Sequence, residues 1–131
     1  EVIVKLTKSE LEVMETLWQG GKPLARYEIL EQCVDPSWSP STIHILLNGL
    51  LKKEAIREAG FIKRGKTYGR LYAADVTREQ YYGETLMLAR NAKSIPTYFS
   101  MLLNSDGLTM EMVEDLERKL AERKKELEEE T

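Results

Sequence analysis

The chain has 131 residues, 42% hydrophobic and 31% charged, with 19 Lys/Arg against 22 Asp/Glu and a net charge of −3. That length bounds it to one ordinary domain or two small ones sharing a core, and the acidic balance argues against a broadly basic coat protein. One Cys and one His exclude an internal disulfide and a Cys/His zinc site, and they leave Cys–His catalysis only if Cys33 and His44 meet. No apolar run approaches the ~20 residues of a membrane span, so no membrane association is expected. A start at Glu1 with no signal peptide reads as a trimmed chain from the reducing cytoplasm.

The first helix has a clear start. Thr7 and Glu10 form a capping box, with Leu6 and Leu11 placed as its hydrophobic staple. Leu11, Met14, Leu17 and Trp18 recur at helical spacing until Gly20-Gly21 stops the helix. Lys22-Pro23-Leu24 reads as a short extended segment, and a second helix over residues 25–33 turns Ile29, Leu30 and Cys33 inward. Cys33 reads as a small core residue, since no basic neighbour in sequence lowers its pKa.

Asp35-Pro36-Ser37 breaks the chain. Ser39 then caps a third helix with Pro40 in its first turn. Ile43, Leu46, Leu47 and Leu50 form its buried stripe. Ser41, His44, Ile45, Asn48 and Lys52 form an outward stripe flanked by Thr42. That stripe is small or hydrogen-bonding for the most part and contains no acid.

After Lys53 the period changes to two. Residues 56–59 predict a short strand that leads through Gly60 to Phe61-Ile62. Lys63-Arg64-Gly65-Lys66 predicts a turn, and residues 67–73 the return strand. Thr77 and Gln80 form a second capping box, with Val76 and Tyr81 as staple, opening a fourth helix to about Lys93. A short fifth helix over residues 96–103 carries Tyr98, Phe99, Leu102 and Leu103. Thr109 caps a sixth, in which Val113, Leu116, Leu120 and Leu127 follow a 3-4-7 spacing with Arg123 at the missing heptad seat. Glu128-Glu129-Glu130 is expected to fray. Three helices this small cannot bury these apolar faces alone, so they need the N-terminal domain or a second chain.

The net charge hides an asymmetry. Residues 41–75 carry seven Lys/Arg against three Asp/Glu, whereas residues 76–131 carry eight against twelve. A local basic block on an acidic protein suggests one face aimed at a polyanion; random clustering on a solvated surface is the other reading.

Two motifs compete for this block. Gly60-Phe61-Ile62-Lys63-Arg64-Gly65-Lys66-Thr67 matches the phosphate-loop string G-x-x-x-x-G-K-[ST]. That chemistry requires a helix after the loop, and Thr67 opens an alternating, aromatic strand instead. No G-x-S-x-G, H-E-x-x-H or dinucleotide fingerprint appears either, so no enzyme activity, metal or other cofactor is expected. The order helix, extended segment, helix, turn, helix, hairpin is that of a winged helix-turn-helix. The fold class is therefore mainly α with a small β-hairpin (α+β). A DNA-binding domain over residues 1–75 is expected to precede a three-helix domain over residues 76–131, whose apolar faces need the first domain or a second chain to cover them. In that arrangement a helix enters the major groove and a basic wing grips phosphate. Ser41, Thr42, His44, Ile45 and Asn48 would face base edges, while Lys52, Lys63, Arg64 and Lys66 would hold phosphates. The alternative is a protein-interaction module on the same fold, without specific DNA binding.

Three stretches carry a more specific resemblance: residues 6–18 (LTKSELEVMETLW), 39–43 (SPSTI) and 46–54 (LLNGLLKKE). They resemble the bacterial penicillinase-repressor family (BlaI/MecI-like), well over residues 5–75 and more weakly to about 120. The resemblance implies a homodimeric transcriptional repressor that binds double-stranded DNA at a palindromic (inverted-repeat) operator. It places Tyr81, Leu86, Tyr98, Phe99, Leu102, Leu116 and Leu120 on helices that interlock with the partner chain. It also implies a regulatory protease as partner. The familiar members are cleaved at an Asn-Phe bond, and Met101-Leu102 stands there in this chain. Copper-responsive relatives carry a Cys-rich metal site that this chain lacks. His44 and Gly49 stand where basic residues are usual, and the wing is longer by several residues around 61–66.

Overall fold

The computed structural model describes residues 4–87 and 94–131. The elements run α1 (Lys8–Gly20), β1 (Leu24–Ala25), α2 (Arg26–Gln32), a 3-10 turn (Pro40–Thr42), α3 (Ile43–Lys52), β2 (Ile56–Arg64), β3 (Thr67–Ala74), α4 (Arg78–Met87), α5 (Ile95–Leu103) and α6 (Met110–Glu130). The chain forms two compact units, Glu1–Ala89 and Arg90–Thr131. The boundary expected at 75/76 runs inside the first unit, so α4 belongs to the same unit as α1.

In the first unit α1 starts where its capping box sets it. Thr7 Oγ1 accepts from the Glu10 amide at 3.2 Å, and Glu10 Oε1 accepts from the Thr7 amide at 2.9 Å. Val13, Met14 and Leu17 are buried, while Leu11 and Trp18, expected inward, are half-buried at the edge. The core combines these side chains with Leu24, Ile29, Trp38 and Ile56, and with the whole apolar stripe of α3: Ile43, Leu46, Leu47 and Leu50. Each such side chain contributes about 1.5–3 kcal/mol on burial. Cys33 is half-buried against this core, its Sγ 4.0 Å from the Glu12 carbonyl oxygen.

The start of α3 differs from expectation. Residues 40–42 form a 3-10 turn, and the α-helix proper opens at Ile43. Ser39 makes no side-chain bond to the helix backbone. Its hydroxyl pairs with the hydroxyls of Ser41 (3.1 Å) and Thr42 (3.0 Å), which compete for the oxygen a cap would use.

The sheet is three-stranded and antiparallel, in the order β1-β3-β2. The segment before α2 is thus a strand, pairing Leu24 with Tyr72 and Ala25 with Leu71. β2 runs unbroken to Arg64, with a bulge between Glu58 and Phe61 where Gly60 takes a φ of 120°. The turn shrinks to Gly65-Lys66, closed by the Arg64–Thr67 pair. Lys63 and Arg64, expected in the turn, therefore lie on the strand. Gly60 and Gly65 serve the hairpin, and a strand follows the phosphate-loop string where that motif needs a helix.

Glu10 has a second task. It is 5% exposed, and its carboxylate binds Lys53 Nζ at 2.5 Å, while Lys53 also donates to the Lys5 carbonyl at 2.7 Å. Burial pushes the Glu10 carboxyl up, but the hydrogen bonds from Lys53 and from the Thr7 amide outweigh it and hold the group below its usual range. A Cβ on Gly49 would stand 2.7 Å from Glu10 Oε2. Gly49 is therefore the seat of this carboxylate between α1 and α3. α4 is joined to α1 by Trp18, whose indole donates to the Val76 carbonyl at 2.8 Å and whose ring lies 6.0 Å from Tyr81. Thr77 and Gln80 make the expected reciprocal cap. The expected extension of this helix to Lys93 lies outside the described residues.

The second unit contains α5 and α6. Thr109 caps α6 through the Met112 amide, and the helix stays regular to Glu130, so the expected fraying of 128–130 is not observed. Asp115 pairs with Arg118 and Lys119, and Arg123 with Glu126 at 3.1 Å. These i,i+3 and i,i+4 pairs support a helix that buries nothing. Neither α5 nor α6 has a buried residue among those described.

Candidate nucleic-acid interface

The outward stripe of α3 is exposed as its spacing predicts. Ser41, His44, Ile45, Asn48 and Lys52 all face solvent, and Thr42 is half-buried. Ile45 is 71% exposed, an apolar side chain on an otherwise polar stripe. Ser41 and Thr42 stand on the 3-10 turn rather than in α3, so they approach from the helix entrance.

The seven cations of the basic block divide into two groups. Lys53 is held by Glu10, Arg57 by Asp75 at 2.5 Å, and Arg70 by Glu58 at 3.0 Å. Among the described residues, Lys52, Lys63, Arg64 and Lys66 make no ion pair. The block thus presents four charges without an acidic partner among the described residues, at the end of α3 and on the hairpin. These are the four that the sequence assigns to phosphate.

A cleft of about 360 Å³ brings His44 of α3 beside Arg64, Thr67 and Tyr68 of the hairpin, and the first residues of α2 line it as well. Arg26 Nη1 lies 2.5 Å from His44 Nε2. The Arg64 guanidinium sits 4.0 Å from the centroid of the Tyr27 ring, a cation–π contact. The first turn of α2 therefore touches both α3 and the hairpin. His44 meets Arg26 and Cys33 meets Glu12, so the two halves of a Cys–His pair do not form a site.

The sequence profile of the penicillinase repressor family matches residues 6–122. The chain belongs to this family. Penicillinase repressors are transcriptional regulators, not enzymes. A penicillinase repressor of Bacillus licheniformis is 29% identical over 125 residues, which are 93% of this chain and 94% of that relative. The DNA-binding domain of the repressor BlaI in solution is 28% identical, covering 62% of this chain and 93% of that domain, with a TM-score of 0.47. The monomeric form of Bacillus licheniformis BlaI in complex with the blaP half-operator is also 28% identical. There the coverage is 61% and 92% and the TM-score 0.44. No helix among the described residues is long and apolar enough to cross a membrane.

In this penicillinase-repressor family member, sequence reasoning missed Arg26 and Tyr27. They lie on a different helix from His44 and far from Arg64 in sequence, and no local periodicity links them. The rest of the assigned residues fall as follows. Tyr81 is half-buried against Trp18 and Tyr82 of its own chain, and Leu86 is exposed on α4. Tyr98 and Leu116 are half-buried, while Phe99, Leu102 and Leu120 are exposed on α5 and α6.

Proposed function

We propose that this chain is a homodimeric repressor that binds an inverted-repeat operator. Ser41, Thr42, His44, Ile45 and Asn48 read base edges in the major groove. Asn48 suits an adenine and Ile45 a thymine methyl. Lys52, Lys63, Arg64 and Lys66 hold phosphates and fix the register. The observation that carries this reading is the pairing pattern. Three cations of the basic block are neutralised within the fold; of the four left over, Lys52 ends the helix with the exposed, acid-free face and the others lie on the hairpin, where Arg64 shares a cleft with His44.

Dimerisation falls to the C-terminal helices. Leu86, Tyr98, Phe99, Leu102, Leu116 and Leu120 supply apolar surface for a partner, and Tyr81 sets the α4 surface from its seat on Trp18. Residues 1–75 then serve DNA and residues 76–131 the partner. Met101-Leu102 lies inside α5 where the familiar members carry the cleaved Asn-Phe bond, so release by that cleavage is not part of this reading.

Selection of the preferred duplex from a random pool, followed by gel shifts over a salt series, tests the proposal. The expected product is an inverted repeat with half-sites about one helical turn apart. Four phosphate-holding cations in each of two subunits predict a log–log salt slope of about −7. A best selected duplex that binds no tighter than random DNA would defeat the reading and leave the fold as a protein-interaction module.

A further inference from the structure

We propose that Arg26 is a positioning residue for base recognition, fixing His44 as the neutral Nδ1–H tautomer so that the recognition helix presents a hydrogen-bond donor to the operator. The inference rests on the operator-binding reading above. Arg26 opens α2 and His44 is the second residue of α3. Their contact, Nη1 to Nε2 at 2.5 Å, joins two helices eighteen residues apart in sequence. A guanidinium has five N–H donors and no acceptor, so in this contact the ring nitrogen must accept. A doubly protonated ring has no acceptor to offer. The neutral ring that remains carries its proton on Nδ1.

Free in water, a histidine side chain favours the other tautomer, with the proton on Nε2. Without Arg26 the ring could present either a donor or an acceptor to DNA. With Arg26 bound at Nε2 of this exposed side chain, the nitrogen left over is Nδ1–H, which makes no hydrogen bond among the described residues. A fixed donor matches acceptors on the major-groove edge: the N7 of a purine, the O6 of guanine or the O4 of thymine. It meets the N4 amine of cytosine donor to donor, so the structure assigns His44 a selection against cytosine at its position.

Arg26 is itself held. The Ala25 amide donates to Glu28 Oε1 at 2.8 Å, closing the first turn of α2 from within. Ala25 is buried and paired with Leu71 of β3. The next residue, Tyr27, carries Arg64 on its ring face. The guanidinium of Arg26 therefore reaches His44 from a helix start anchored to the sheet.

Two measurements on the full chain test this. The first is the ¹⁵N chemical shifts of the His44 ring in the free protein at mildly alkaline pH, where an imidazole is neutral. A protonated Nδ1 in the wild type that reverts toward Nε2–H in Arg26→Ala is the expected result. A wild-type ring protonated on Nε2 overturns the proposal. The second is base preference at the His44 position, measured on the selected operator with all four bases substituted. Arg26→Ala is expected to reduce discrimination there by about three- to tenfold, with preferences elsewhere unchanged. His44→Asn, whose amide nitrogen takes the place of Nδ1, should keep the preference even in combination with Arg26→Ala. His44→Gln, whose amide takes the place of Nε2, should not. An Arg26→Ala variant that loses affinity equally for every sequence makes Arg26 a phosphate contact and overturns the positioning role. A wild-type chain that selects no sequence defeats the operator-binding reading and the recognition role with it, whereas the ring tautomer stands or falls separately.

Discussion

The two compact units use apolar residues in opposite ways. In the first, Val13, Met14, Leu24, Ile29, Ile43 and Leu50 are almost fully enclosed, and α1, α2 and α3 all pack against a small sheet. In the second, Leu102 is 59% and Leu120 60% exposed, and no described residue of α5 or α6 is buried. Both stretches are rich in Leu, Ile and Met. The difference is that the first unit meets its own complement within the chain, whereas the described apolar side chains of the second stay exposed or half-buried. Charged residues stand between the leucines of α6 and pair along it.

The sharpest way to break this contrast is to empty the first core. Met14→Ala should lower stability by about 2–5 kcal/mol, read from urea unfolding through Trp18 and Trp38, both of which lie in that unit. A loss below about 1 kcal/mol would mean the core is not closed. The matching change in the second unit is Leu120→Glu. It should raise the dimer dissociation constant at least about tenfold, equivalent to ~1.4 kcal/mol, in sedimentation equilibrium. The tryptophan-detected unfolding of the first unit should barely respond. A dimer indifferent to this charge would remove the distinction between the units.

Glu10→Gln is expected to cost about 1–3 kcal/mol, because Lys53 loses its partner beside a nearly buried group. The same carboxylate gives a pH signature. Its folded pKa lies below the ordinary carboxylate value, so its contribution is complete above that ordinary value. Stability should fall as pH drops through the lowered folded pKa, and the Gln variant should lack this component in an acid unfolding series. The smallest effect on stability belongs to Lys63→Ala. Its unfolding should stay within about 0.5 kcal/mol of wild type. Its DNA affinity should drop alike for all sequences, and the salt slope should flatten by about 1 per subunit. A change in base preference would place Lys63 among the reading residues.

What the sequence revealed was local. Both capping boxes are spelled within four residues, and both form. The two stripes of α3 are set by helical spacing, and each residue of the buried stripe is buried. The pairing of Lys53, Arg57 and Arg70 was not legible, because Glu10, Asp75 and Glu58 reach them only after the chain folds. The same limit hid β1, which is two residues long and exists through its pairing with β3. It also hid the bulge at Gly60, which converts an apparent break into one long strand. The 3-10 turn escaped because Ser39 looks like a cap and is diverted by neighbouring hydroxyls. Arg26 is the extreme case, a residue tied to the candidate site only by a contact across space.

Gly49 has a consequence for how this surface could change over evolution or by design. Helix α3 is bolted from behind: the carboxylate of Glu10 fills the notch that Gly49 leaves, and Lys53 clamps it there. None of the outward positions takes part in that joint. The outward face is thus a replaceable head on a fixed mount: exchanges at Ser41, Ile45 and Asn48 should leave the fold in its seat, which frees the face that the proposed function assigns to the operator to vary.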